Sequence, residues 1–232
     1  MIVALLTAFS ALIALVLGLD GLRRPSADTA TGIALPDPTR EGTTSVEAAI
    51  ANRRSRREFS DDPLTLAEVG QLLWAAQGIT ARQSGFRAAP SAGATYPLEV
   101  YLLTGDPGVE GLDRGVYRYV PAAHRLERVR SGDHQAALRA AALDQEWVGT
   151  GAVDIVITAI DERTTGRYGE RGRRRYVPME AGHAGENLYL QAEALELALV
   201  CVGAFRDEEV RSILDVSAKE RPLSIYPVGR RS

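Results

Sequence analysis

The first pattern along the chain is a stretch without charge. Ile2 to Leu19 is eighteen residues, mostly Leu, Ala, Val and Ile, interrupted by Thr7, Ser10 and Gly18. Coiled into a helix it would reach about 27 Å, close to the thickness of a bilayer core. Asp20 ends the run, and Arg23 and Arg24 follow. A secretory signal carries its basic residues ahead of the apolar stretch, whereas here they come after it. The pattern predicts an uncleaved transmembrane helix over residues 1–22. A cleaved signal and a buried helix stay open as alternatives. Basic residues stay on the cytoplasmic side, so the rest of the chain is expected there. Residues 23–45 are rich in Pro, Thr, Asp and Gly, lack an apolar period, and read as a linker.

From Val46 onward, helical and strand periods alternate over one expected domain, residues 46–232. Ser45 is placed to cap a helix carrying Val46, Ala49 and Ile50. Thr65 and Glu68 fit a capping box ahead of the stripe Val69, Leu72, Leu73 and Ala76, and Gly78 closes that helix. Leu98–Thr104 reads as a strand. Val116–Val120 and Arg125–Val129 read as two strands joined by a turn at residues 121–124. A helix is expected from Asp133 to about Leu143, and a buried strand over Ala152–Ile160. A basic, glycine-containing segment, Arg163–Arg175, precedes a long helix over Met179–Leu197. A buried strand over Leu199–Gly203, a helix over Asp207–Leu214 and a final strand over Leu223–Val228 complete the reading. The fold class is α+β, a central mixed or antiparallel sheet flanked by helices, with the N-terminal transmembrane helix added.

Composition narrows the function. A net charge of −3 argues against a nucleic-acid partner. One cysteine, Cys201, rules out an internal disulfide. His124, His134 and His183 are too far apart for metal-ligand spacing, so no metal site is expected. Lys219 is the sole lysine beside 26 arginines, taken from 27 basic residues in all. Guanidiniums suit phosphate and carboxylate, although the excess is read mainly as a genome-wide compositional bias.

Five segments carry candidate chemistry. Arg53-Arg54-Ser55-Arg56-Arg57 is either a solvated charge run or an anion site. Pro90-Ser91-Ala92-Gly93 is a small-residue loop that lets backbone approach a flat ligand. Glu180-Ala-Gly-His-Ala-Gly-Glu-Asn bares one helix side at Gly182 and Gly185, for close helix packing or for a ligand. His183 within it is a candidate proton donor or a structural histidine. Val202-Gly203 follows a buried strand, where ligands often bind. Arg230-Arg231 follows the last strand.

In their order, RRSRR, PSAGATYP, RYGERGRRRY, EAGHAGENLYLQA, VGAF and YPVG resemble the FMN-dependent nitroreductase superfamily. Within it the chain is most similar to the SagB-type dehydrogenases, the group that includes the azoline oxidases of thiazole and oxazole peptide biosynthesis. The resemblance runs from about Val46 to Arg231. It implies one FMN per subunit and a homodimer with flavin at the interface. Arg53, Arg54, Ser55 and Arg57 would contact phosphate and ribityl oxygens. Pro90, Ser91, Ala92 and Gly93 would lie beside the isoalloxazine ring, and Val202 and Gly203 would face the flavin through their backbone. Arg230 or Arg231 would join the phosphate site. The expected activity is hydride transfer between FMN and a small-molecule or peptide substrate, with Tyr168 or His183 assisting proton transfer and NAD(P)H as a possible electron donor. Azoline-oxidising relatives carry Lys-Tyr where this chain has Arg167-Tyr168, and Arg does not give up its proton. The alternative is therefore a membrane-associated flavin-binding module without turnover.

Overall fold

The computed structural model describes residues 32–232. The expected anchor over residues 1–22 and the linker as far as residue 31 lie outside them. Among the described residues, no helix is long and apolar enough to cross a membrane.

The apolar run at 152–160 forms β7 (Val153–Ile160), every residue of which is buried except the last. Its alternating side chains feed two separate cores: Ile155 and Ile157 join one, and Val156 the other. β4 (Leu98–Thr104) and β9 (Glu220–Arg230) flank it. Outward from β4 lie β5 (Gly115–Val120), β6 (Arg125–Ser131) and the short β1 (Ile33–Ala34); outward from β9 lies β8 (Leu197–Leu199). The seven strands run in the order β1-β6-β5-β4-β7-β9-β8, and every pairing is antiparallel. Of the two sheet types expected, the antiparallel one is found.

On one face lie α2 (Leu66–Gln77) and α5 (Val177–Ala194), which bury Leu72, Leu73, Ala76, Leu188 and Ala192 against Leu102, Ile155 and Tyr226. Gln71 Nε2 donates to Gln191 Oε1 at 3.0 Å, and Asn187 Nδ2 to the Ala75 carbonyl at 2.9 Å, which fixes the two helices together. On the other face, α3 (Gln135–Ala141) and α6 (Asp207–Leu214) bury Leu138, Val210 and Leu214 against Tyr101, Leu103 and Ile225. α1 (Val46–Asn52) starts at Ser45, whose side chain accepts from the Ala48 amide. The Thr65–Glu68 capping box is complete. A small hairpin, β2 (Ile79–Ala81) with β3 (Phe86–Arg87), leads into the small-residue loop.

Two stretches differ from the sequence reading. The basic segment is α4 (Glu162–Tyr168), followed by a π-helical turn over Gly172–Tyr176 that runs into α5. The strand expected over Leu199–Gly203 instead occupies Leu197–Leu199, with a lone bridge from Val202 to Ile225. Beyond the Leu199↔Val228 pair β9 presents Pro227, which has no N–H to donate and only accepts, from the Val200 amide at 3.4 Å. The Cys201 amide leaves the ladder and donates to the Tyr189 hydroxyl at 2.9 Å.

Candidate functional site

α1 ends at Arg53, whose φ of −52° and ψ of 123° turn the chain into an extended run. Alternate side chains then face different neighbours. The Arg53 guanidinium lies 5.1 Å from the Tyr189 ring centre, and the Ser55 hydroxyl shares a 2.9 Å hydrogen bond with the Tyr189 hydroxyl. Arg57 lies over the Trp147 ring at 4.9 Å. Arg54 turns back on α1, donating to the Ala51 and Arg53 carbonyls. Arg56 pairs with Glu193 at 3.6 Å, and Arg231 reaches the same carboxylate at 2.9 Å. Arg54, Arg56 and Arg231 line one pocket of about 530 Å3 together with Glu193 and Glu196.

Tyr189 joins three segments that are remote in sequence. Its hydroxyl meets Ser55 and the Cys201 amide, and its ring edges Tyr226 at 6.5 Å. Val202 is buried; Gly203 is exposed, with open space where a side chain would begin. Gly185 of α5 sits against the Tyr226 hydroxyl, which occupies the position a Cβ would take. That close approach is what the bare helix side permits.

The small-residue loop is a second centre. Pro90 is exposed, and Ser91 accepts a 2.9 Å hydrogen bond from the Tyr96 amide. Ala92–Ala94 form a 3-10 turn in which Gly93 adopts φ +60°. A Cβ on Gly93 would lie 2.5 Å from the Tyr168 hydroxyl and 2.8 Å from Arg167 Nη1. Gly93 is therefore required twice, by its dihedral angle and by the Arg167-Tyr168 pair pressed against it. Thr95 and Thr164 share a 2.9 Å hydrogen bond that ties the loop to α4. Arg167 lies over the Tyr168 ring at 5.3 Å, and Tyr168 packs edge-on against Tyr176 at 5.0 Å.

Glu180 is a residue the sequence reading did not assign to the site. It is 2% exposed, and burial pushes its carboxyl up to about 7. Ser91, Arg87 and Gln77 lie beside it and favour the charged form, yet its Oε1 and Gln77 Nε2 both fall outside hydrogen-bond geometry. The signal was present: Val177, Glu180, Ala184, Leu188 and Ala192 are the inward stripe of α5, and Glu180 is an acid within it.

Other expected residues stand apart. His183 is exposed on α5 and makes no hydrogen bond among the described residues. Arg230 is bound bidentately by Glu68, at 3.0 and 3.1 Å, and its Nε donates to the Pro63 carbonyl. Among the described residues, no cluster of three or more His, Cys, Asp or Glu could hold a metal ion.

Residues 50–230 match the nitroreductase family. The chain is 46% identical to the nitroreductase-family protein MJ1384 of Methanocaldococcus jannaschii, over 80% of this chain and 91% of that protein. It is 29% identical to the microcin B17-processing protein McbC of Escherichia coli, over 62% of this chain and 54% of that protein. A nitroreductase-family crystal structure from Ralstonia eutropha superimposes with a TM-score of 0.75 at 28% identity, over 86% of this chain and 89% of the other.

Proposed function

Because the chain belongs to the nitroreductase family, we propose that it is an FMN-dependent oxidoreductase whose flavin is held by the residues gathered around Tyr189 and Gly93. One observation carries this reading. Arg53 and Arg57 make no ion pair among the described residues, and each meets only an aromatic ring. Two guanidiniums without a carboxylate, two residues to either side of Ser55 along the extended run, suit a phosphate. The other residues fit as well: the Pro90–Gly93 ledge offers backbone without bulk, and Gly203 leaves open space beside the Cys201–Tyr189 contact. Arg54 can add charge from the neighbouring pocket, whereas Arg231 would first have to leave Glu193, and Arg230 Glu68.

When bound, FMN supplies hydride chemistry at its N5. The chain's own residues bind, orient and handle protons. We assign proton donation to a product atom to the Tyr168 hydroxyl, which lies beside Gly93. Arg167 retains its own proton, so abstraction is not assigned to it. Glu180, next to Ser91, exchanges a proton near neutral pH. This division favours reduction of a small acceptor by NAD(P)H over dehydrogenation of an azoline. Purified full-length protein is expected to be yellow and to bleach when NAD(P)H is added without oxygen. A colourless protein that takes up no FMN would sink the reading; bound flavin that no reductant or substrate can cycle would leave a binding module.

Two further parts of the proposal concern assembly. α1 exposes Val46 (65%) and Ile50 (59%) beside an apolar groove of about 240 Å3 lined by Ala49, Ala75, Leu190 and Ala194. We assign this face to a homodimer, which sedimentation at micromolar concentration would reveal or exclude. The anchor over residues 1–22, with the domain on the cytoplasmic side, is tested by membrane fractionation and by protease protection of everted vesicles.

A further inference from the structure

The sheet opens between β4 and β5. Their ladder runs from Thr104↔Gly115 to Tyr101↔Arg118 and stops there, although β4 extends back to Leu98 and β5 on to Val120. Past that point β4 remains paired with β7, at Leu98↔Ala159, and β5 with β6, at Val120↔Arg125. The two halves part around a cleft of about 230 Å3. Leu98, Val100, Tyr119 and Ala122 give it apolar walls; Gln77, Glu99, Arg87 and Arg118 give it charge and polarity.

The charges do not balance. Arg118 is held by Glu127 at 2.7 Å, and Glu99 by Arg163 at 2.6 Å. Arg87 makes no ion pair among the described residues. Its Nη1 donates to Gln77 Oε1 at 3.0 Å, and its face lies over the Tyr96 ring at 4.6 Å. Its Nε and Nη2 make no hydrogen bond to a protein acceptor among the described residues. That edge of the fork is the one that pairs bidentately with a carboxylate. Burial works against the Arg87 charge, so a partner would stabilise it. The Tyr119 hydroxyl is taken by His124 Nδ1 at 2.9 Å and its ring is buried, so Tyr119 forms the floor of the cleft and offers it no polar group.

We propose that this cleft binds a carboxylate on a short apolar chain, with the Nε–Nη2 edge of Arg87 receiving the carboxylate and Ile79, Val120 and Pro121, the half-exposed apolar residues of its lining, receiving the chain. Glu180 also lies beside Arg87, but burial raises its carboxyl, so on the acid side of neutrality the cleft keeps one surplus cation; that calls for a monoanion, and a dianion would meet Glu99. The carboxylate can belong to a free acid or to a peptide C-terminus, and both present the same chemistry. None of these residues is among those assigned to the flavin.

The test is calorimetric titration of the purified full-length protein at constant ionic strength. The probes are pentanoate, pentanamide, and the peptide Ala-Ala-Val with a free or an amidated C-terminus. Pentanoate is expected to bind at least about tenfold more tightly than pentanamide, and Arg87→Gln to weaken it by at least about tenfold. Arg87 also packs on Tyr96, so Arg87→Gln can disturb folding. Ala122→Trp, on an exposed rim residue, blocks the cleft with Arg87 intact and should abolish binding while leaving the melting temperature unchanged. Binding of the free-acid peptide but not of pentanoate supports the site and assigns it to peptide ends. Equal binding of acid and amide, binding that survives Ala122→Trp, or no binding by any probe overturns the proposal.

Discussion

Replacing Glu180 by Gln should change how stability responds to pH. The carboxyl is buried on the inner face of α5, and desolvation raises it from 4.5 to about 7. A group whose folded-state value lies above its unfolded value holds its proton more tightly when folded. Its contribution to stability is complete below about 4.5, declines as pH rises, and is gone above about 7. A rise of about 2.5 at about 1.4 kcal/mol each corresponds to about 3 kcal/mol. For a domain of this size that is about 6–12 °C in melting temperature. The assay is urea unfolding of flavin-free wild type and Glu180→Gln at pH 4.5 and pH 8. The wild type should lose about 3 kcal/mol more than the variant between the two pH values. Equal losses would mean that Glu180 titrates as an ordinary surface acid, and the argument from its burial would fail.

Asp154 obeys the same logic. It is fully buried, accepts hydrogen bonds from Gln135 Nε2 and the Gly149 amide, and is raised from 3.8 to about 7, so Asp154→Asn should remove a second, separate part of the loss between about pH 4 and 7. Gly93→Ala must place a methyl against Tyr168 at φ +60°; at about 1–3 kcal/mol of strain it should still fold but lose flavin affinity, read by flavin fluorescence during dilution. Gly185→Ala collides with the buried Tyr226 hydroxyl and should destabilise by about 1–3 kcal/mol, measured by thermal melting, while Gly182→Ala, which meets nothing, should be neutral or slightly stabilising. Glu68→Ala removes both half of the capping box and the Arg230 partner, and urea unfolding should show a loss of about 2 kcal/mol.

What could be read from the chain was whatever its local physics decides. The Thr65–Glu68 box, the run that becomes β7 and the helix over Asp207–Leu214 announce themselves within a few residues of sequence. The second duty of Glu68, holding Arg230 across 162 positions, has no local sign. Arg163–Arg175 showed itself only as a basic segment with glycines and no assigned element, because two of its counter-ions lie outside it. Arg163 pairs with Glu99, and Arg173 with Asp161, so a segment dense in like charge can coil into α4 and a π-helical turn. The small-residue loop and the Arg167-Tyr168 pair were each singled out from sequence, but their contact at Gly93 is tertiary. Glu180 was hidden in plain view, because an acid inside an apolar stripe is ordinarily taken as an interruption of the stripe.

The extended arginine run has an implication for how its frame can change. Two main-chain contacts peg it to the sheet: the Arg56 amide to the Leu199 carbonyl, and the Ser60 amide to the Arg230 carbonyl. Just ahead of the first peg, a single inserted or deleted residue would exchange Arg56, which braces Glu193, with an arginine that now looks elsewhere, although composition and net charge would scarcely change. Homologous runs of equal basicity but different length should therefore differ sharply in which anions they hold.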